Sequence, residues 1–389
     1  MTQYATMPMS ADDMLEEARR LTGIDLVDEA AREPLNILIE SYNRDARFSE
    51  EGAKGKHEYI IRFLKNRLRM QRDFAANPEI RNIVLMPSVI INAMPRTGST
   101  KMQKVLAATG EFNWLPMWMA FNPASWTGEP NEEVAPRIQD TQNFIDWFSA
   151  RSPDVHAAHS MDALEPEEDS YVMMHSLVSR TLSGYANASS YLQWLAAQDQ
   201  SLQFEYLVDT LKYLVWQGLA DPAKPFVLKS AMSIGAEDGL MKAHGAPHLI
   251  MTHRNPRDFI ASTCKLGVVF QLPFSDERGD FSMVVPGTAM LADEHLGFRK
   301  RRPEVGILDI DYRRLRDDAV AVVEEVFAFA GMEPGSDAIA RVRQWEIDNP
   351  KNRHGSFKYG LEDFELNAPA VDEAFADLNA LARSKGIDY

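Results

Sequence analysis

The fold is decided by the stretch Val89-Ile90-Ile91-Asn92-Ala93-Met94-Pro95-Arg96-Thr97-Gly98-Ser99-Thr100, in which an apolar strand runs into a polar loop. Met102, Val105 and Leu106 recur at helical spacing after the loop and predict that it opens a helix. Free backbone N–H groups at a helix start attract anions, and short hydroxyl side chains add donors without filling the space. The stretch therefore predicts a phosphate site. An ordinary strand-to-helix turn is the alternative, and an arginine beside three hydroxyls disfavours it.

This loop departs from the G-x-x-x-x-G-K-[ST] loop of nucleoside-triphosphate enzymes. Ala93 stands at the first glycine, Gly98 at the second, and Ser99 at the position of the lysine. A triphosphate enzyme needs that lysine between the outer phosphates, whereas this chain has Arg96 two residues before the glycine. The loop therefore indicates a different phosphate ligand.

Length and composition fit an enzyme with one large core or two modest ones, since 45% of the 389 residues are hydrophobic and 25% are charged. The formal net charge of −16 disfavours nucleic acid and anionic membranes as partners. A single cysteine, Cys264, excludes an internal disulfide framework. Because the chain shows no signal-like N-terminus and no run that would span a bilayer, we expect a cytoplasmic protein without a transmembrane segment.

Two regions are expected along the chain. Residues 1–85 carry apolar side chains at helical spacing, which predicts a helical N-terminal extension packed on the core. Over residues 86–389, short apolar strands alternate with amphipathic helices, which predicts an α/β domain with a mainly parallel sheet flanked by helices. Ligands of such sheets bind beyond the carboxyl ends of the strands. After the first strand, the further predicted strands are 226–228, 249–251 and 305–308.

A second polar segment, 252–263, also follows a predicted strand. Arg254 stands at the strand end and Ser262 two turns into the next helix, so both would hold one anion only if the helix folds back beside the strand. The alternative is a solvated helix start in which Arg257 and Asp258 pair on the surface.

Together the two segments resemble the sulfotransferases that use 3′-phosphoadenosine 5′-phosphosulfate (PAPS), especially the bacterial group with a P-R-[ST]-G-[ST]-T loop. The resemblance implies a P-loop-like three-layer α/β fold whose first loop grips the 5′-phosphosulfate. The residues that match this loop are Pro95, Arg96, Thr97, Gly98, Ser99 and Thr100. The family's second motif, an arginine with a serine eight residues later, holds the 3′-phosphate and is matched by Arg254 and Ser262.

Two later segments carry the same resemblance. Tyr312 lies in the segment 311–315, Asp-Tyr-Arg-Arg-Leu, which looks like the family's strand-end Y-E-D-L. Arg353 lies in the segment 352–364, which resembles the family's C-terminal segment that closes over the cofactor. The resemblance implies that Tyr312 and Arg353 contact PAPS. It spans about residues 85–370, and four short motifs in the right order are more specific than one.

The resemblance implies in-line transfer of a sulfuryl group to an acceptor oxygen or nitrogen, without a metal ion. By analogy with phosphoryl transfer, positioning and charge stabilisation supply most of the catalysis. Arg96 and Lys229 are the cations expected near the transferring group and the leaving oxygen, and Lys229 matches a strand-end lysine of the family. A surface lysine just past a strand is the alternative for Lys229, and its apolar neighbours disfavour it.

The catalytic base is expected away from that lysine. Cytosolic animal sulfotransferases have a histidine two residues after it, where this chain has Ala231. His159 is the first candidate because histidine exchanges protons near neutral pH, and Glu168 is the second. The structural alternative for Glu168 is strong, since acids in a first helical turn stabilise the helix dipole without doing chemistry.

The acceptor is expected to be a small molecule with an alcohol, phenol or glycan hydroxyl. Aromatic and methionine side chains line pockets for apolar alcohols and phenols, and tryptophan also stacks on sugars, although at least half of those present are expected in the core. These side chains are Trp114, Met117, Trp118, Met119, Phe121, Trp126, Phe144, Trp147 and Phe148. The sequence does not indicate the oligomeric state.

Two other functions stay open. A small-molecule kinase would use the same strand, loop and helix with ATP, although Ser99 in place of the lysine counts against it. A non-catalytic nucleotide-binding protein would also fit, because the histidine expected near Lys229 is missing.

Overall fold

Four parallel strands form one sheet in the computed structural model, which describes residues 4–277, 279–350 and 359–389. Their bounds are β1 Val89–Ile91, β2 Val227–Lys229, β3 His248–His253 and β4 Ile307–Asp311. They lie in the order β2-β1-β3-β4. The predicted α/β fold with a parallel sheet is confirmed.

The strand bounds differ from the predicted ones at the ends. β3 is longer than predicted because it pairs with strands on both sides, with Val89 opposite His248 and His253 opposite Asp311. β4 begins two residues later than predicted. Its expected first residue, Val305, donates its backbone N–H to the carbonyl of Arg302 at 3.0 Å and so belongs to a turn.

Helices make up most of the remaining described chain, and three 3₁₀ helices lie at Pro78–Asn82, Arg180–Ser183 and Leu361–Phe364. In chain order the α-helices are α1 Ala11–Thr22, α2 Glu29–Asp45, α3 Glu50–Ala76, α4 Ser99–Ala108, α5 Met117–Phe121, α6 Ala135–Arg151, α7 Val155–Ala158, α8 Ser170–Met174, α9 Ser189–Leu195, α10 Ser201–Trp216, α11 Glu237–His244, α12 Pro256–Gln271, α13 Val284–Arg301, α14 Tyr312–Asp317, α15 Ala319–Phe329, α16 Ala338–Asp348, α17 Ala368–Ala374 and α18 Ala376–Ser384.

Both faces of the sheet are covered, because side chains alternate across each strand. Val89 and Ile91 pack into one apolar cluster with α4, α15 and α16. Ile90 points the other way, into a larger cluster that includes buried residues of α1, α2, α3 and α10. A continuous run of apolar residues in β1 is therefore what a strand buried on both faces requires.

The N-terminal helices share that larger cluster with the rest of the chain. Ser10 caps α1 by accepting a hydrogen bond from the backbone N–H of Asp13, and Ser49 caps α3 in the same way through Gly52. The division into a helical extension over residues 1–85 and an α/β domain over residues 86–389 stays a prediction.

A buried ion pair ties the N-terminal helices together. Arg67 of α3 donates from Nε and a terminal nitrogen to the two carboxylate oxygens of Asp28, just before α2, at 2.5 and 2.9 Å. The other terminal nitrogen of Arg67 donates to the carbonyl of His175 at 3.0 Å. The side chains of Arg67 and Asp28 are only 8% and 2% exposed. Loss of either partner would leave a buried charge without its counter-ion.

We expect Asp28→Ala to lower the free energy of unfolding by about 3–5 kcal/mol, because it strands the Arg67 guanidinium. Asp372→Ala is the matched control, since it removes a carboxylate from an exposed pair with Arg257 and should cost much less. Urea unfolding of the wild type and both variants measures the difference. Equal losses in the two variants would contradict the role given to Arg67 and Asp28.

Candidate functional site

The loop between β1 and α4 makes a left-handed turn. Arg96 and Gly98 have φ angles of 65° and 94°, and α4 begins at Ser99. A Cβ atom on Gly98 would lie 2.5 Å from Cδ2 of Tyr312, so only glycine fits at that position. Arg96 is strained by its positive φ, and its carbonyl accepts a hydrogen bond from the guanidinium of Arg254 at 3.1 Å. The loop is therefore held from two other strand ends.

Thr97 uses its hydroxyl inside the protein. Its Oγ1 donates to the carbonyl of Met94 at 2.7 Å and lies 2.7 Å from Oγ1 of Thr252 in β3. This pins the loop to the neighbouring strand. The Thr97 side chain is thus engaged in holding the loop, whereas Ser99 and Thr100 line a cavity.

The two predicted phosphate motifs meet. Nε of Arg96 donates to Oγ of Ser262 at 2.9 Å, and the hydroxyl of Tyr359 donates to the same oxygen at 2.8 Å. Helix α12 therefore lies beside the loop that follows β1. Burial, followed by the charge of Arg254, lowers the pKa of Arg96.

Arg254 lies beside this meeting point. Its guanidinium stands 5.1 Å from the ring centroid of Tyr312, a cation–π contact, and its Nε lies 3.5 Å from a carboxylate oxygen of Asp258. The alternative surface pair of Arg257 with Asp258 does not form, because Arg257 pairs with Asp372 instead. Arg254 is therefore oriented by groups on α12 and α14.

Lys229, the last residue of β2, is only 2% exposed and is not a surface lysine. Its ammonium bonds to a carboxylate oxygen of Glu168. The backbone N–H of Asp169 donates to the carbonyl of Lys229 at 3.2 Å, which holds the segment before α8 against the strand end. The lysine and its partner both line the cavity.

His159 is buried and paired with a glutamate that the sequence analysis did not select. Its Nε2 lies 2.8 Å from Oε2 of Glu167. Burial raises the pKa of Glu167, but the charge and hydrogen bond of His159, followed by the charge of Lys229, outweigh it and lower that pKa to about 2. Glu167 is therefore an anion that orients the imidazole. Its only sequence signal was its place in the acidic run 165–169.

Asp169 lies next to these charges but has a different environment. It is buried, and its Oδ1 has no hydrogen-bond partner among the described residues. Burial, followed by the charge of Glu168, raises the pKa of Asp169 to about 7. Three neighbouring acids, Glu167, Glu168 and Asp169, thus meet three different electrostatic environments.

One cavity of about 1130 Å³ lies at this site. Of the predicted site residues, the cavity is lined by Pro95, Arg96, Gly98, Ser99, Thr100, His159, Glu168, Lys229, Arg254 and Tyr312. Thr97 and Ser262 lie directly behind this lining, in contact with Thr252 and Arg96. Arg353 lies outside the described residues.

Part of the cavity wall is aromatic. It is formed by Phe48, Tyr171, Tyr185, Phe270 and Phe274. Phe270 stacks on Tyr185 with centroids 5.1 Å apart, and its edge meets the ring of His159 at 5.6 Å. Apolar surface therefore runs directly away from His159.

None of the nine aromatic and methionine side chains proposed from the sequence for an acceptor pocket lines this cavity in the described chain. Phe121, Phe144 and Phe148 illustrate the reason, since they pack together in the main core beside α3. The aromatic residues that do line the cavity come from separate parts of the sequence, apart from Phe270 and Phe274, so no single local pattern marks them.

In the ranges 4–277, 279–350 and 359–389, no group of three or more His, Cys, Asp or Glu side chains is arranged to hold a metal ion. No helix in the described part of the chain is long and apolar enough to cross a membrane.

Comparison with known proteins gives one family. A family model described as "Sulfotransferase family" matches residues 87–336. The crystal structure of the sulfotransferase STF1 from Mycobacterium tuberculosis H37Rv is similar, with a TM-score of 0.77, 23% identity, and coverage of 96% of this chain and 100% of STF1. The sulfotransferase STF9 from Mycobacterium avium gives a TM-score of 0.82, 22% identity and 97% coverage of each chain. No curated protein sequence matches the chain.

We expect Asp169→Asn to stabilise the protein by about 2–4 kcal/mol at pH 8 and by less at pH 5. The folded-state pKa of about 7 lies above the usual 3.8, so folding disfavours the ionised carboxyl, and this penalty grows as pH rises from about 4 to 7. Urea unfolding at the two pH values measures the change. Asp293→Asn, an exposed change in α13, is the control and should stay within about 0.5 kcal/mol. Destabilisation by Asp169→Asn at both pH values would contradict the expectation.

Proposed function

The chain belongs to the sulfotransferase family, and from this we propose that it transfers a sulfuryl group from PAPS to the hydroxyl or amine of a small, partly apolar acceptor. The observation that carries the proposal is the convergence of three strand ends at one cavity. The loop with Arg96 follows β1, Lys229 ends β2, and Arg254 follows β3. A donor with phosphates at two positions needs such separated cationic groups.

The residues present fit a doubly phosphorylated nucleotide. The backbone at 97–100 begins α4, and helix starts of this kind bind phosphate. Gly98 has no Cβ, and the ring of Tyr312 occupies the space that a Cβ would take. We assign the 5′-phosphosulfate to Pro95, Arg96, Thr97, Gly98, Ser99 and Thr100. The 3′-phosphate is assigned to Arg254 and Ser262, with Tyr312 beside them. Arg353 is a further contact proposed from the family resemblance alone.

The donor supplies an activated sulfuryl group, whose sulfur bonds to the acceptor oxygen while its bond to the 5′-phosphate oxygen breaks. Arg96 and Lys229 stabilise the negative charge that develops on that phosphate oxygen. Both side chains line the cavity, where Lys229 is buried and Arg96 is partly buried, so their charges are only partly screened by water. The pair between Lys229 and Glu168 holds the ammonium in place before the donor binds.

His159 is the proposed base. Its Nε2 is engaged by Glu167, so Nδ1 is the ring nitrogen that accepts the proton of the acceptor hydroxyl. The ionised Glu167 then stabilises the imidazolium that forms. Glu168 is the second candidate, and the support for it is weaker because it would have to give up its ion pair with Lys229 to take a proton.

The aromatic part of the cavity wall supports an acceptor with an apolar part. Phe270 and Tyr185 offer flat surfaces directly beyond His159, which suit an apolar alcohol, a phenol or the face of a sugar ring. The acceptor hydroxyl would then lie near His159, with the apolar part directed toward Phe274 and Phe48.

Calorimetric titration with adenosine 3′,5′-bisphosphate, the expected product, tests the donor. We expect it to bind without added metal and more tightly than ATP with magnesium, because the loop lacks the lysine that a triphosphate requires. Tighter binding of ATP with magnesium would replace the proposal with a kinase. Nucleotide binding with no sulfuryl transfer to a panel of alcohols, phenols and sugars would leave a non-catalytic binding protein.

Two variants separate binding from chemistry. Arg254→Ala should raise the Kd of the bisphosphate about 10- to 100-fold, because a charge-assisted phosphate contact is lost. Its matched control is Arg257→Ala, which removes a neighbouring exposed arginine paired with Asp372 and should leave the Kd unchanged.

His159→Ala should leave that Kd within about twofold and lower kcat about 10²- to 10⁴-fold, because a general base is lost. Transfer assays with PAPS measure the change. Full activity in His159→Ala would reject His159 as the base, and Glu168→Gln would then be the variant that loses turnover.

A further inference from the structure

A hydrogen-bonded set of polar side chains, here called the polar network, lies outside the site described above and is buried except at Arg299, which is partly exposed. It consists of Asn92, Glu237, His295, Arg299, Asp309 and His253. None of these described side chains lines the cavity. The polar network connects Asn92, just after β1, with His253 at the end of β3 and with Asp309 in the middle of β4, by way of α11 and α13. Its groups are therefore unused by the proposed chemistry but reach three strands that carry it.

Arg299 determines the tautomer of His295, because a guanidinium can only donate. Nε of Arg299 lies 2.8 Å from Nε2 of His295, so Nε2 accepts and carries no proton. The ring proton is then on Nδ1, which donates to Oε1 of Glu237 at 2.6 Å. His295 is completely buried and acts as a neutral connector between α13 and the first residue of α11.

One end of the polar network reaches the loop between β1 and α4. Oε1 of Glu237 also accepts a hydrogen bond from Nδ2 of Asn92 at 2.8 Å. Asn92 is the first residue after β1, and its backbone N–H donates to the carbonyl of Ile250 in β3 at 2.9 Å. A side chain and a backbone group of the same residue thus fix where the loop 92–98 begins.

The other end of the polar network connects β3 and β4. Asp309 of β4 accepts from both terminal nitrogens of Arg299, at 3.0 and 2.6 Å. Nε2 of His253, the last residue of β3, lies 2.7 Å from Oδ1 of the same carboxylate. Arg254 follows His253 directly, and Tyr312 follows Asp309 by three residues. The hydrogen bonds of Asp309 therefore join the two segments that carry these side chains.

We propose that His295 and Arg299 are positioning residues, which hold the ends of β1, β3 and β4 in the arrangement that lets the loop, Arg254 and Tyr312 contact one nucleotide. The identity of that nucleotide rests on the proposed function. β1 has only three residues, so its backbone forms few hydrogen bonds with the neighbouring strands. The polar network adds a further restraint on the position of β1. Buried networks of this kind are sensitive to the loss of one member, because its partners cannot turn to water.

Helix α13 extends this restraint toward the acceptor. Its C-terminal half carries His295 and Arg299, whereas Val284, Gly287 and Leu291 of its N-terminal half line the cavity. The same helix therefore fixes the strand ends and forms part of the cavity wall.

His295→Phe tests the proposal, because it keeps a ring in the core and removes both hydrogen bonds. Its matched control is His175→Phe, since His175 is equally buried and neither of its ring nitrogens has a hydrogen-bond partner among the described residues. We expect His295→Phe to speed hydrogen–deuterium exchange about tenfold at 92–98 and 254–258 in the ligand-free protein and to raise the Kd of adenosine 3′,5′-bisphosphate about tenfold. His175→Phe should change neither quantity by more than about twofold.

The proposal is overturned if His295→Phe changes exchange in these two segments no more than His175→Phe does. If the wild type binds no bisphosphate, the proposed function fails, while the exchange measurement still decides the positioning role. Should His295→Phe not fold, Arg299→Met takes its place with the same readouts, because the Arg299 side chain is partly exposed and its stem is kept. His295→Gln, which retains an acceptor for Arg299, should recover part of the lost affinity. If His295→Gln binds the bisphosphate no more tightly than His295→Phe does, the hydrogen bond between His295 and Arg299 is not the link.

Discussion

The close contact between Gly98 and the ring of Tyr312 is the constraint on which the rest of the site depends. Gly98 follows β1 and Tyr312 follows β4, with β3 between them in the sheet. Because position 98 has no Cβ, the ring can lie against the loop, and the guanidinium of Arg254 stacks on that ring. Residues that follow three different strands are thereby brought into contact with one another. A methyl group at position 98 would force these parts away from one another.

The acidic residues 167–169 beside the cavity show that neighbouring carboxylates can have different electrostatic environments. Glu167 faces His159 and is held ionised, whereas Glu168 faces Lys229 at the cavity wall. Asp169 has burial and a neighbouring anion but no hydrogen bond to its Oδ1 in the described chain, and its pKa is raised. In a protein of net charge −16, Arg96, Lys229 and Arg254 place positive charge at the cavity.

The candidate site and the polar network lie at the same edge of the sheet, but their side chains make different contacts. Arg96, Arg254 and Lys229 line the cavity, whereas Asn92 bonds to α11, Asp309 bonds to α13, and His253 bonds to Asp309. Side chains that alternate along a strand, or follow one another at its end, separate naturally into these two sets. Rigid support one residue away from a binding group keeps that group in place without occupying the ligand's space.

Local order along the chain was sufficient to predict the parallel sheet and the strand, loop and helix start at 89–106. That segment is encoded within about eighteen consecutive residues, by an apolar strand that is followed by a polar loop and a helix start. The phosphate role of the loop stays a prediction. The strand ends were predicted less accurately. Val305, for example, was expected in β4 but belongs to a turn, in which its backbone N–H bonds to the carbonyl of Arg302. Arg353 lies outside the described residues, and the roles of the site residues stay predictions.

Only the tertiary structure decided which glutamate pairs with His159, which aromatic side chains line the cavity, and how His295 connects α11 to α13. Glu167 and Glu168 are adjacent in sequence and chemically identical, so their partners depend on which way each points after folding. Phe48, Tyr185 and Phe270 come from separate elements and carry no shared pattern, unlike the clustered aromatics near Phe121 that pack in the core. Pairings between distant residues are set by how helices pack on the sheet, and a local pattern of side chains does not contain that information.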